Sequence, residues 1–166
     1  MSRLKVGAIG FLITLSFISC NVAIFTKEWI TWNVNGYYAG GVGILPYRSG
    51  EPGWFAASTW MMFISLGLFF PLFLVYLHAA YKVYRHGCCH SIRRNFSGIF
   101  LLCFLIVLFQ AVTFLLTSIN ASHYGYYENN VVNSSPGYSA YLFFVTGGCA
   151  TLAASLAEIV SRQDCH

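Results

Sequence analysis

Charge is what this sequence has little of. Only 8% of its 166 residues are Asp, Glu, Lys or Arg, against roughly 25% in an ordinary soluble domain, and that deficit points to lipid as the solvent. Catalytic chemistry is thin for the same reason. No hydrophobic stretch carries a cluster of ionisable groups or metal ligands at depth. A Cys-x-x-Cys pair, a His-Glu-x-x-His zinc motif, a Gly-x-Ser-x-Gly elbow and a phosphate-binding loop are all missing, so no enzyme activity, cofactor or metal is expected. The net charge of +4 does not make a nucleic-acid surface, because the nine basic residues are not gathered on a soluble face.

Long apolar runs fill the space that charge leaves. Four of them, residues 6–25, 54–81, 96–118 and 138–160, are each about 20 residues or longer, enough to cross a hydrocarbon core of roughly 30 Å as a helix. Core helices of a soluble protein rarely run so long without charge, and four would leave almost no chain to cover them. The first run, following Lys5, exceeds a signal-peptide h-region and lacks a small-residue cleavage site, so it is expected to stay as a helix. The 15 Phe and 11 Tyr suit lipid contact and interfacial belts. The fold class expected is therefore membrane all-α, one four-transmembrane-helix bundle over residues 1–166.

Loop charge sets the expected orientation. Arg3, Lys5, Lys82, Arg85, Arg93, Arg94 and Arg162 fall on one side and only Lys27 and Arg48 on the other, which places both termini and the loop 82–95 in the cytoplasm and loops 26–53 and 119–137 outside. Two sequons, Asn120-Ala-Ser122 and Asn133-Ser-Ser135, lie in the second outer loop as glycosylation candidates, and a third match, Asn95-Phe-Ser97, is expected to be silent inside.

Polar residues within the spans read as packing devices. Pro71 is expected to bend the second span. Gln110 and Asn21 are explained by interhelical hydrogen bonds, and His78 as interfacial. In the fourth span Gly147, Thr151 and Ser155 recur every four residues, which predicts the tight helix-packing seam, with Gly7 and Gly10 as lesser contributors. Glu158 reads as the partner of Arg162 one turn on rather than as an intramembrane proton site. His86-Gly-Cys-Cys-His90 is too crowded for structural zinc; Cys88 and Cys89, beside a membrane helix among basic residues, are palmitoylation candidates, as is Cys165, with free thiols as the alternative. All six cysteines fall in spans or on the inner side, so no disulfide links the outer loops.

The most informative segment is the first outer loop. Trp29 to Val34 is aromatic and β-branched, Asn35-Gly36 is a tight-turn signal, and Tyr37-Tyr38 with Val42-Gly43-Ile44-Leu45 can return as strand, which predicts a small extracellular antiparallel sheet. The alternative is a flexible loop with an aromatic belt. At this point the chain resembles the claudin, peripheral myelin protein and calcium-channel gamma-subunit superfamily: four spans, a longer first outer loop, an early Trp (Trp29 or Trp32), a Gly-apolar-apolar element (Gly43-Ile44-Leu45) and paired cysteines after the second span. The family's two first-loop cysteines and the Trp of its Gly-Leu-Trp are absent, and the tail reads Asp-Cys-His rather than a hydrophobic PDZ ligand.

The resemblance implies a plasma-membrane protein that works by association with itself or another membrane protein, in a cell-contact or membrane-organising role. The alternative is an auxiliary subunit of an ion channel or receptor; a transporter or lipid enzyme is disfavoured. Lys27, Glu28, Arg48 and Glu51 balance in the first loop, so charge-selective ion passage is unsupported. The expected interaction residues are Trp29, Trp32, Tyr37, Tyr38, Ile44, Leu45 and Tyr47, with Trp29 and Trp32 equally able to anchor the loop. Membrane lipid is the other expected partner.

Overall fold

The computed structural model describes residues 2–34, 37–45, 51–86, 90–124 and 133–164. The apolar runs form α1 (Ser2–Phe25), α2 (Gly53–His86), α3 (His90–Tyr124) and α4 (Tyr138–Ile159), and α4 ends in one π-helical turn, Val160–Asp164. Each helix is long and apolar enough to cross a membrane. In hydrocarbon a helix satisfies its own backbone, and here it satisfies several of its hydroxyls as well. Thr14, Thr59, Thr113 and Thr117 each donate to the carbonyl four residues back, at 2.8 to 3.0 Å. α2 continues as a single helix through Pro71.

The helices form a ring in which α1 packs on α4, α4 on α3, α3 on α2, and α2 returns to α1. Its interior is filled by Ile9, Ile13, Met62, Phe69, Leu72, Phe96, Ile99 and Ile106, all buried. Phe17 meets Phe69 and Phe73 edge-on at 5.5 Å. Phe11, Phe70, Leu74, Leu101 and Phe104 point outward, where lipid rather than water receives them.

Three expectations are corrected. α2 and α3 do not stop at Tyr81 or begin at Phe96: they run to His86 and from His90. Loss of apolarity marks the edge of lipid rather than the end of a helix, and Lys82, Arg85, Arg93 and Arg94 are good helix formers. Asn21 bonds its own helix, Nδ2 donating to the Phe17 carbonyl at 2.8 Å, and not a neighbour. The tight seam of α4 is also a different row. Thr151 and Ser155 are exposed and Gly147 half-exposed, while Ala150, Ala153, Ala154 and Ala157 are buried. Alanine admits a close neighbour as well as glycine does, and Ser16 of α1 approaches near enough for its Oγ to donate to the Thr146 carbonyl at 2.9 Å.

At one end of the bundle sits an antiparallel sheet in the order β2-β1-β3, made of β1 (Ile30–Val34), β2 (Tyr37–Val42) and β3 (Asn133–Pro136). β1 and β2 form the hairpin expected of the first loop, Ile30 opposite Val42, with a register shift between Trp32 and Asn33. The third strand comes from the second loop, where none is predicted: Asn133–Pro136 pairs with Ile30–Asn33. The sheet therefore joins both loops.

Candidate interaction surface

The sheet end is built outward from Trp29. The chain leaves α1 through Thr26, whose hydroxyl lies 2.7 Å from that of Ser139 at the start of α4. Trp29 then turns back into the bundle. Fully buried, it donates from Nε1 to the Ala23 carbonyl at 2.6 Å and meets Phe143 edge-on at 5.2 Å. Its backbone bridges the two loops, its N–H donating to the Val42 carbonyl and its carbonyl accepting from the Gly137 N–H, both at 2.9 Å. One residue thus ties α1, β2 and the entry to α4.

Two glycines allow this closeness. A Cβ on Gly43 would stand 2.7 Å from Cα of Lys27, and one on Gly137 would overlap the Glu28 carbonyl. Both neighbours are backbone and cannot swing away. Ile44, next to Gly43, is buried in the main core, and Leu45 is half-buried against it. Another, smaller cluster of Ile30, Val42 and Phe55, flanked by Trp32 and Trp54, seats the sheet on the start of α2.

The strand alternation separates anchors from surface. Ile30 and Trp32 face the small cluster, whereas Asn33 and Ser135 are exposed and Thr31 is half-exposed. Trp29 and Ile44 are accordingly withdrawn as interaction residues, because neither has surface to offer a partner. Trp32 and Leu45 are half-buried anchors. Tyr37 and Tyr38 supply backbone to β2, and their side chains, like Tyr47, lie outside the described residues. Period-two alternation over residues 30–33 carries this signal for Ile30 and Trp32 but not for Trp29, which precedes the strand and is buried although it is in phase with Thr31 and Asn33; the aromatic content of the same residues points equally to a contact surface.

Among the remaining candidates, Asn120 lies in the last turns of α3, its Nδ2 donating to the Leu116 carbonyl at 2.8 Å, and Asn133 opens β3 opposite Asn33. Cys88, Cys89 and Cys165 fall outside the described residues. Glu158 and Arg162 form the expected pair, Oε1 to Nε 2.5 Å, at the end of the bundle opposite the sheet. Among the described residues no three His, Cys, Asp or Glu side chains come together to hold a metal. What this arrangement offers is a braced polar sheet on a membrane bundle, a form suited to binding.

A family model described as tight junction protein, claudin-like, matches residues 1–166. The chain belongs to this family. No individual curated protein matches it. Within this claudin-like protein the early Trp and the Gly-apolar-apolar element are structural parts: Trp29 pins the sheet to α1 and α4, and Gly43-Ile44-Leu45 lets the returning strand lie against the backbone of Lys27. Residues 26–53 hold no cysteine, so the hairpin relies on backbone pairing, the added third strand and the tryptophan knot.

Proposed function

We propose that this claudin-like protein is a non-enzymatic multi-pass protein of the plasma membrane that acts by associating with other membrane proteins through its sheet. In this reading the sheet is extracellular and the basic end cytoplasmic. What supports that orientation is the gathering of Lys5, Lys82, Arg85, Arg93, Arg94 and Arg162 at helix ends opposite the sheet. The single observation that carries the association reading is the sheet's construction. Ile30, Trp32 and Val42 are spent on anchoring, while β2 and β3 stand at its two edges and Thr31, Asn33 and Ser135 lie on its polar face. A braced edge binds by adding a strand or by packing, with main-chain hydrogen bonds supplying affinity. Palmitate on Cys88, Cys89 or Cys165 and glycan on Asn133 or Asn120 belong to the same proposal, as marks of a cytoplasmic and an extracellular side.

The test is purification of the tagged protein in mild detergent after cross-linking in its native membrane, paired with the variant Asn33→Arg, Ser135→Arg. Recovery of the protein with itself and with adhesion proteins, reduced in the variant, supports the reading. Stoichiometric recovery of a channel or receptor pore subunit would replace it with an auxiliary role.

A further inference from the structure

The two middle helices carry charge of one sign only. From residue 52 to residue 127 the chain has no Asp or Glu, yet Lys82 and Arg85 stand near the end of α2 and Arg94 near the start of α3. The carboxylates toward that end, Glu158 and Asp164, belong to α4 and its final turn, and Glu158 already meets Arg162. Among the described residues neither Lys82 nor Arg94 enters an ion pair. Arg85 lies 5.5 Å over the ring of Tyr81, a contact that uses the flat face of the guanidinium and not its N–H edge.

Helical spacing gathers these three cations at one seam. α2 and α3 pack against each other, and Gly98 marks the line of contact, since a Cβ there would meet Val75 Cγ1 at 3.6 Å. Lys82 lies seven residues beyond Val75, and Arg94 four residues before Gly98. Both therefore return to that line, two turns and one turn nearer the basic end. Because the helices run antiparallel, their backbones stand within about 5 Å of the same height. Arg85, three residues past Lys82, lies beside them, whereas Arg93 falls off the line, about 100° round α3 from Arg94.

Away from the basic end the same seam is apolar. Pro71 and Leu101, one turn further from the cations than Val75 and Gly98, are exposed, and the floor between them is shallow, because a Cβ on Gly98 would touch nothing but Val75. A slot therefore runs from three cations at the membrane edge into hydrocarbon. A soluble anion would use only its charged end, whereas a phospholipid fills both. A phosphomonoester carries close to two negative charges, so three uncompensated cations match a headgroup bearing such groups better than one of single net charge. We infer that the α2–α3 seam binds an anionic phospholipid bearing phosphomonoester groups, its phosphates held by Lys82, Arg85 and Arg94 and one acyl chain lying over Gly98 toward Leu101. Basic clusters beside a membrane helix meet such lipids in the cytoplasmic leaflet. The supply of lipid thus rests on the orientation proposed above, but the chemistry of the seam does not.

The test reconstitutes the full-length protein in phosphatidylcholine nanodiscs holding a small fraction of phosphatidylinositol bisphosphate with a photoreactive acyl chain. After irradiation, adducts are mapped by mass spectrometry and are expected on residues 71–78 and 98–105. Lys82→Gln, Arg85→Gln and Arg94→Gln should each raise the lipid fraction needed for half-maximal labelling about fivefold, the scale of one basic residue at a membrane surface. Arg94→Lys should keep most of the affinity, and Arg162→Gln, on α4, should leave it unchanged. Gly98→Leu fills the slot without altering charge and should cut labelling of residues 98–105. Adducts spread evenly over the four helices, an equal loss in Arg162→Gln, or equal competition by phosphatidylserine at matched charge would overturn the inference. So would soluble inositol trisphosphate competing as well as the lipid, since the slot would then contribute nothing. Unfolding of each variant in detergent keeps a folding defect separate. Both leaflets of the nanodisc carry the lipid, so labelling does not depend on which way the chain sits in a cell, and this inference and the proposed orientation fail separately.

Discussion

The sheet end and the α3–α4 side are built from similar materials and finished differently. At the sheet end, Trp29, Ile30, Ile44 and Phe55 are buried, the Trp29 indole N–H is paired, and two loops from opposite ends of the sequence are laced by backbone hydrogen bonds. Halfway down the α3–α4 side, large side chains stand apart and glycines face the gap. Among the described residues the sheet end is closely braced and presents a polar face, whereas the α3–α4 side keeps an apolar crevice.

The largest effect expected from breaking this contrast is at Trp29. Trp29→Ala removes a fully buried ring between α1, β2 and α4 and should cost about 3–5 kcal/mol, read as a lowered midpoint of thermal unfolding in detergent. Trp29→Phe keeps an aromatic against Phe143 but leaves the Ala23 carbonyl without the indole N–H, and should lose a smaller part, about 1–3 kcal/mol. If Trp29→Ala unfolds like the wild type, the sheet is not anchored through this residue and its edges are not a braced surface.

The two small-residue rows of α4 provide the next test. Ala153→Leu inserts bulk where α4 meets its neighbours and should destabilise by about 1–3 kcal/mol. Thr151→Leu and Ser155→Leu, on the exposed row, should stay within about 0.5 kcal/mol in the detergent-solubilised monomer. Equal losses in both rows would mean that the exposed row is covered within a single chain, and the contrast between a finished and an unfinished side would fall.

How legible the fold is depends on which physical demand a residue answers. The four spans are plain because lipid excludes charge over about 20 residues, a constraint any reading of charge can detect. The α4 seam is not, because two rows of small residues, Gly147-Thr151-Ser155 and Ala150-Ala153-Ala157, lie about a third of a turn apart on one helix. Both satisfy the same packing rule, and only the neighbouring helices choose between them. β3 is hidden for another reason. Asn133-Ser-Ser-Pro136 has poor strand propensity and is laid down as a strand by β1 beside it, so its conformation is tertiary in origin. The loop residues of the candidate site were legible as a set and not as roles: the pattern that makes Trp29 conspicuous suits an anchor as well as a contact. Gln110 was legible as polar in lipid, but its partners depend on where Ser65 and Cys20 fall.

A smaller effect is expected from polar groups within the bundle. Ser16→Ala removes the donor to the Thr146 carbonyl, where α1 and α4 meet. Hydrogen bonds between membrane helices are worth about 0.6 kcal/mol on average, so a loss of that order is expected. Gln110→Leu removes a 3% exposed amide that reaches Ser65 and Cys20; it loses those hydrogen bonds but also the amide's desolvation cost, so the net change should stay within about 1 kcal/mol. A large loss at Gln110 in the same unfolding assay would mean that its amide ties α3 to the neighbouring helices rather than merely filling the space between them.

The smallest effect belongs to Glu158. Its carboxylate meets Arg162 one turn on, but the side chains are 34% and 73% exposed respectively. An ion pair so placed gains little over hydration, and such pairs contribute about 0–1 kcal/mol, less at high salt. Glu158→Gln should therefore shift the unfolding midpoint by no more than the equivalent of about 0.5 kcal/mol, and raising the salt concentration should erase the difference. A large loss that salt leaves unchanged would place the carboxylate in a low-dielectric setting, where its counter-ion could not be traded for water. That result would restore Glu158 as an intramembrane ionisable group and move the search for function from the sheet to the bundle's basic end.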